Sequence, residues 1–235
     1  MEVLEKTKEK TEKMDLPMKP RKAPLLTPRV TLIYGSPKSG KTSICAQLEN
    51  SLLIECEPGG ADYVDATVAD VNGPTEFNKL LDKIKDAGRP YKYIVVDTVT
   101  RLDEWSEVVG TYNFMNKTQG QKWNREGGQA GAAKILHTDP RFETVHELGQ
   151  GFGYQHSRAV MADWYEKLST LAPHVILLAH IKDKLIETKK GEMVEATDIN
   201  LTGKVKTIYA SKADAVAYFY RAEGKGVLSF DNEFK

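Results

Sequence analysis

From Arg29 onward the chain alternates short apolar, β-rich runs with segments whose apolar residues return at helical spacing. The runs predict strands at Val30–Tyr34, Ser51–Glu55, Tyr93–Asp97, His174–His180, Ala213–Tyr220 and Val227–Phe230. Helices are predicted at Lys41–Glu49, Thr75–Ala87 and Ser157–Leu171, with a weaker one over Arg101–Val109. Phe77, Leu80, Leu81 and Ile84 form one apolar stripe, and Val160, Trp164, Leu168 and Leu171 form another; both read as core. Strand and helix in alternation is the mark of a parallel sheet covered by helices, an α/β fold. The pattern fails in three places. Residues 1–28 are rich in Lys, Glu and Pro and read as a charged, flexible tail that cannot bury enough surface to order itself. Residues 110–156 are Gly-rich and residues 182–206 are polar; both read as long loops leaving the carboxyl ends of strands, where open α/β sheets bind ligands.

Composition narrows the class only a little. A chain of 235 residues with 40% apolar content supports one α/β domain over residues 29–235 with a well-buried core. Lys plus Arg and Asp plus Glu balance at 33 each, so any contact with nucleic acid has to come from a local basic surface rather than from the net field. No apolar stretch is long enough to span a bilayer, and Cys45 and Cys56 lack metal-ligand spacing; a cytoplasmic protein without membrane contact is expected.

The chemistry is concentrated after the first strand. Gly35-Ser36-Pro37-Lys38-Ser39-Gly40-Lys41-Thr42 satisfies G-x-x-x-x-G-K-[ST] at every fixed position, between an apolar run and an amphipathic segment. Such a loop turns successive backbone N–H groups toward a triphosphate, and Ser43 continues it into the helix. Lys41 reaches the β- and γ-phosphates, Thr42 can hold Mg²⁺, and the helix beginning at Lys41 adds the positive end of its dipole. Asp97, closing the run Tyr93-Ile94-Val95-Val96, supplies the carboxylate that orients the metal. Glu55 and Glu57 are both candidates for polarising the attacking water, and spacing does not separate them, although Glu57, beyond the strand end, is better placed to reach over a nucleotide. His180 ends an apolar run and is expected beside Asp97, where it can sense the γ-phosphate. Asp97 is not followed by Gly three residues on, and Asn116-Lys117-Thr118-Gln119 lacks the Asp that would read guanine, so ATP is the expected nucleotide.

In this order the motifs resemble the RecA-like recombinase core, a P-loop NTPase fold. They look most like small phage-type ATPases that act as single-strand annealing or recombination proteins. The resemblance runs from Arg29 to about Arg221. It implies a mostly parallel, twisted sheet with helices on both faces. It favours Glu57 over Glu55 as the water-activating glutamate and makes His180 the polar switch residue before the second DNA loop, where RecA itself has Gln. It further implies ATP with Mg²⁺, single-stranded DNA held by residues 110–156 and 182–206, and a homo-oligomeric ring or filament with a basic residue reaching the neighbour's nucleotide. Lys204, Lys206, Lys212 and Lys225 are the candidates for that residue. The loops do hold cations and aromatics suited to a single strand, such as Lys117, Arg125, Lys182 and Trp123, yet acids such as Glu126 and Asp183 are interleaved with them. The alternative is a RecA-like switch or assembly ATPase that acts on a protein partner without DNA.

Overall fold

The computed structural model describes residues 27–117, 144–147, 153–187 and 193–230. Its centre is the strand β4 (Tyr93–Asp97), whose Ile94, Val95 and Val96 are buried on both faces of the sheet. Continuous apolar runs of this kind suit a parallel strand that is covered above and below. Beside β4 lie β2 (Ser51–Glu55) on one side and β5 (His174–Ala179) on the other. The sheet extends outward through β3 (Val68–Asp70) beyond β2. On the other side it continues through β1 (Val30–Tyr34) and β8 (Ala215–Ala222) to β9 (Lys225–Ser229). The seven-stranded order is β3-β2-β4-β5-β1-β8-β9, parallel except for the closing β8–β9 hairpin. The carboxyl ends of β1, β2, β4 and β5 therefore meet at one edge. Asp214 Oδ2 fastens the start of β1, accepting from Arg29 N at 2.8 Å and Val30 N at 2.9 Å.

Helices cover the two faces unequally. One face carries α2 (Pro74–Asp86), α3 (Val99–Met115), α4 (Tyr154–Ser169) and α5 (Lys204–Lys212). Their buried side chains meet the strand residues Leu32, Ile54, Ile94, Val96 and Leu177 in the larger core. Trp164 is 1% exposed there, with its ring edge-on to Phe77 at 5.4 Å and its indole N–H donated to Asn78. A buried aromatic of this size contributes several kcal/mol, about 3–5 by truncation. The opposite face carries the short α1 (Lys41–Cys45) and the loop after β2, packed on Ile33, Leu53, Val95, Leu178 and Phe219.

The α/β architecture expected from the pattern is present, with several boundaries moved. The first helix stops at Cys45 rather than Glu49, β5 stops at Ala179 rather than His180, and the strand expected over Ala213–Tyr220 covers Ala215–Ala222. The last strand is Lys225–Ser229, α4 starts at Tyr154, and the weak helix of Arg101–Val109 extends over Val99–Met115. That helix gains a start signal from Thr98, whose hydroxyl caps it by accepting from Arg101 N. The first expected loop therefore loses residues to α3 and α4, and Val145–Glu147 within it forms a 3₁₀ turn. The second is not a loop. Its described residues lie mostly in an antiparallel strand pair, β6 (Ile181–Glu187) with β7 (Met193–Ile199), and in the start of α5. The expected tail over residues 1–28 lies almost wholly outside the described residues, as does most of 118–152.

Candidate nucleotide site

The segment Gly35 to Thr42 joins β1 to α1 at the sheet's carboxyl edge. Two glycines permit its course. Gly40 has φ 106°, left-handed backbone that a side chain disfavours, and a Cβ on Gly35 would run into the Phe219 carbonyl of β8. Lys41 is 5% exposed, and its Nζ donates to the loop's own carbonyls, Gly35 O at 3.0 Å and Ser36 O at 2.9 Å. Burial lowers its pKa, against the opposing pull of Asp97 and then Glu57. The cation is thus held inside the curl of the loop. Ser39 Oγ is buried there without a hydrogen-bond partner, while Ser36, Pro37, Lys38 and Ser43 stand exposed around the mouth.

Thr42 Oγ1 donates to Asp97 Oδ2 at 2.5 Å, which brings together the two residues expected at the metal. Burial raises the Asp97 pKa, and the Thr42 hydrogen bond and the Lys41 charge only partly offset it. A hydroxyl oxygen beside a desolvated carboxylate is a hard-oxygen donor set of the kind Mg²⁺ takes together with phosphate oxygens. The buried lysine, the unpartnered Ser39 hydroxyl and this pair fit a Mg²⁺-bound triphosphate. The Asp97–Thr98 peptide is cis.

The two glutamates have separate tasks in this geometry. Glu55 is 6% exposed and turns back to accept from Gly60 N and from Ala61 N at 3.0 Å, bracing the turn after β2. Glu57 is only half-buried. Its Oε1 accepts from Thr98 Oγ1 at 2.6 Å, and its carboxylate meets His180 Nε2 at 3.0 and 3.2 Å. The His180 hydrogen bond, more than Thr98, holds the Glu57 carboxyl below its usual range, although burial works the other way. His180 does not lie beside Asp97 in the ladder: Leu178 is paired with Asp97, and His180 sits past the strand end. Its N–H donates to Thr100 Oγ1 at 3.0 Å and its carbonyl accepts from Asn200 N at 2.9 Å, just after β7.

Thr98, Thr100 and Arg221 contact these groups and were not singled out by sequence. The threonines follow Asp97 directly in Asp97-Thr98-Val99-Thr100, and hydroxyls at a strand-to-helix turn are a readable capping signal. Arg221 donates from Nε to Ser39 O at 2.9 Å and has no comparable local signal. Of the four basic residues considered for a neighbouring site, Lys206 is paired with Asp198 at 2.7 Å and Lys212 with Glu166, whereas Lys204 and Lys225 are exposed.

A family model described as "AAA domain" matches residues 27–234. The chain belongs to the AAA domain family. Within this family context, no curated protein matches the chain. Among solved structures, a crystal structure of the RadB recombinase overlaps it at a TM-score of 0.39 and 12% identity, covering 88% of this chain and 82% of that one. A likeness this loose says nothing about activity.

Asp97 provides a test of the site's electrostatics. Its carboxyl has an ordinary value of 3.8 and is raised by folding, so the folded state binds more protons than the unfolded state just above that pH. Ionised Asp97 therefore costs stability, a cost fully present at neutral pH and lost as the pH falls through the raised value. Asp97→Asn is expected to melt at a higher temperature than the parent at pH 7, with the difference closing near pH 4. It should also lose the further rise in melting temperature that Mg²⁺ adds to ATP. Equal melting curves at pH 7, or an intact Mg²⁺ effect, would contradict the assignment.

Proposed function

We propose that this AAA domain is a Mg²⁺-dependent ATPase in which turnover is coupled to the β6–β7 hairpin, with single-stranded DNA as the partner that the hairpin serves. The reading rests on one observation above all. Glu57, the group best placed to activate water, is held by His180, and the backbone of His180 is bonded to the residue that follows the hairpin.

In this reading the labour divides among the site residues, and the geometry supports it. Lys41 and the loop N–H groups bind the β- and γ-phosphates, with Gly35 and Gly40 setting the loop's curl. Thr42 and Asp97 would hold Mg²⁺, which when bound would neutralise charge developing on the phosphates. Glu57 accepts a proton from the attacking water. A base works best with a pKa near the operating pH, and the His180 and Thr98 hydrogen bonds hold Glu57 well below that. The resting arrangement is therefore a restrained one, and releasing the His180 contact strengthens the base. A displacement of the hairpin that moves Asn200 acts on the His180 main chain, which gives a partner a route to the catalytic group.

DNA as the partner comes from the resemblance to phage-type recombination ATPases. A protein partner is the second reading, and a specific observation favours it. Lys182 is tied to Leu201 O at 3.0 Å and Lys206 is paired with Asp198, so two cations near the hairpin are already engaged.

Hydrolysis measured with and without single-stranded DNA, at low and moderate salt, separates the readings. Stimulation that weakens with salt is expected for the DNA reading. ATP turnover and nucleotide-dependent oligomers that ignore DNA would transfer the assignment to a protein partner.

A further inference from the structure

The metal-side residues define the direction in which a nucleotide lies. Asp97 at the end of β4 and Glu57 just past β2 stand on one flank of the loop that follows β1, so the γ-phosphate faces β4 and β2. The α-phosphate and nucleoside then leave across the other flank, toward β8 and β9. That flank is built for contact. The register pairs Tyr34, the last residue of β1, with Tyr218, and β8 continues through Phe219–Ala222 beyond it. A tight turn at Glu223 and Gly224, both at positive φ, returns the chain into β9. β8 thus runs alongside the phosphate loop, with Phe219 against Gly35 and Arg221 against Gly40.

Strand alternation places Arg221 on the same face as Phe219, the face that carries α1 and the loop. Its Nε is spent on Ser39 O at 2.9 Å, and its Nη2 lies 3.3 Å from where a Cβ on Gly40 would stand. The residue is exposed, and no acid pairs with it among the described residues. An exposed guanidinium, anchored at one corner and lying beside the loop, retains a flat face and several N–H donors for a ligand.

On the reading that this loop binds a nucleoside triphosphate, we propose that Arg221 is a nucleobase-binding residue, a platform on which the base stacks at the end of the site opposite Asp97. The planar cation suits a π-face, and stacking of this kind favours a nucleoside triphosphate over bare polyphosphate.

Calorimetric titration with ATP and with inorganic tripolyphosphate, both with Mg²⁺, tests this in the full chain and in Arg221→Ala and Arg221→Lys. The parent is expected to bind ATP more tightly than tripolyphosphate. Both variants should lose roughly 5- to 100-fold more affinity for ATP than they lose for tripolyphosphate. Because tripolyphosphate binding requires the folded loop, it also reports that the variants are intact. Equal losses for both ligands would mean that Arg221 only props the loop through Ser39, which overturns the proposal. Full ATP affinity in Arg221→Lys would reduce its role to charge and overturn it as well. A parent that binds tripolyphosphate no less tightly than ATP defeats the base platform alone, whereas a parent that binds neither defeats the nucleotide reading itself.

Discussion

Replacement of Glu57 by Gln is expected to lower ATP turnover by roughly 10²–10⁴-fold while leaving ATP affinity within about threefold of the parent. Gln keeps the length and the carbonyl oxygen, so the Thr98 hydroxyl at 2.6 Å still has an acceptor. The capacity to take a proton is removed. Because the His180 contact is the main influence holding Glu57 below its usual range, the loss of the negative charge also exchanges a charge-assisted bond to His180 for a weaker neutral one. Single-turnover hydrolysis set beside equilibrium ATP binding makes the comparison. Turnover within fivefold of the parent would remove Glu57 as the base, and equal loss of binding and turnover would make it a structural residue.

Lys41→Met should act on the other quantity. Met fills the volume of the lysine stem but leaves Gly35 O and Ser36 O without their donor and the phosphates without a cation. Truncating one member of a buried, hydrogen-bonded charge pair costs about 2–5 kcal/mol. ATP affinity should therefore fall by roughly 30- to 5,000-fold. The stability of the free protein should change far less, because the desolvation that lowers the Lys41 pKa is relieved at the same time. Titration with a fluorescent ATP analogue checks the first effect and thermal melting the second. An affinity within threefold of the parent would show that the loop does not hold phosphate through Lys41.

What could be read from the chain was whatever local chemistry dictates. Gly40 is conspicuous because the loop needs left-handed backbone there, and Asp97 because a charge ends a run buried on both faces. The choice between Glu55 and Glu57 was beyond spacing alone, since the two differ through the turn that follows: Gly60 N and Ala61 N capture Glu55 and leave Glu57 free to reach Thr98 and His180. The β6–β7 hairpin reads as a loop in the sequence because its strands are polar and lie outside the main sheet, so neither carries a core-facing apolar run. β3 is three residues long, too short for alternation to register. The helix α5 did leave a trace, since Val205 and Tyr209 stand four apart and both are buried, with the Tyr209 hydroxyl donating to Met161 O. Arg221 was beyond local reading, because its place at the loop depends on how far β8 outruns β1.

His180 is all that separates β5 from β6. A linker of one residue has two backbone torsions and no slack, so it acts as a hinge pin and not as a tether. Thr100 grips one side of that pin and Asn200 the other. Any swing of the hairpin about this joint bears on the residue whose imidazole holds Glu57, and lengthening the linker by a single glycine is a way to let the hairpin move while the Glu57 carboxylate stays still.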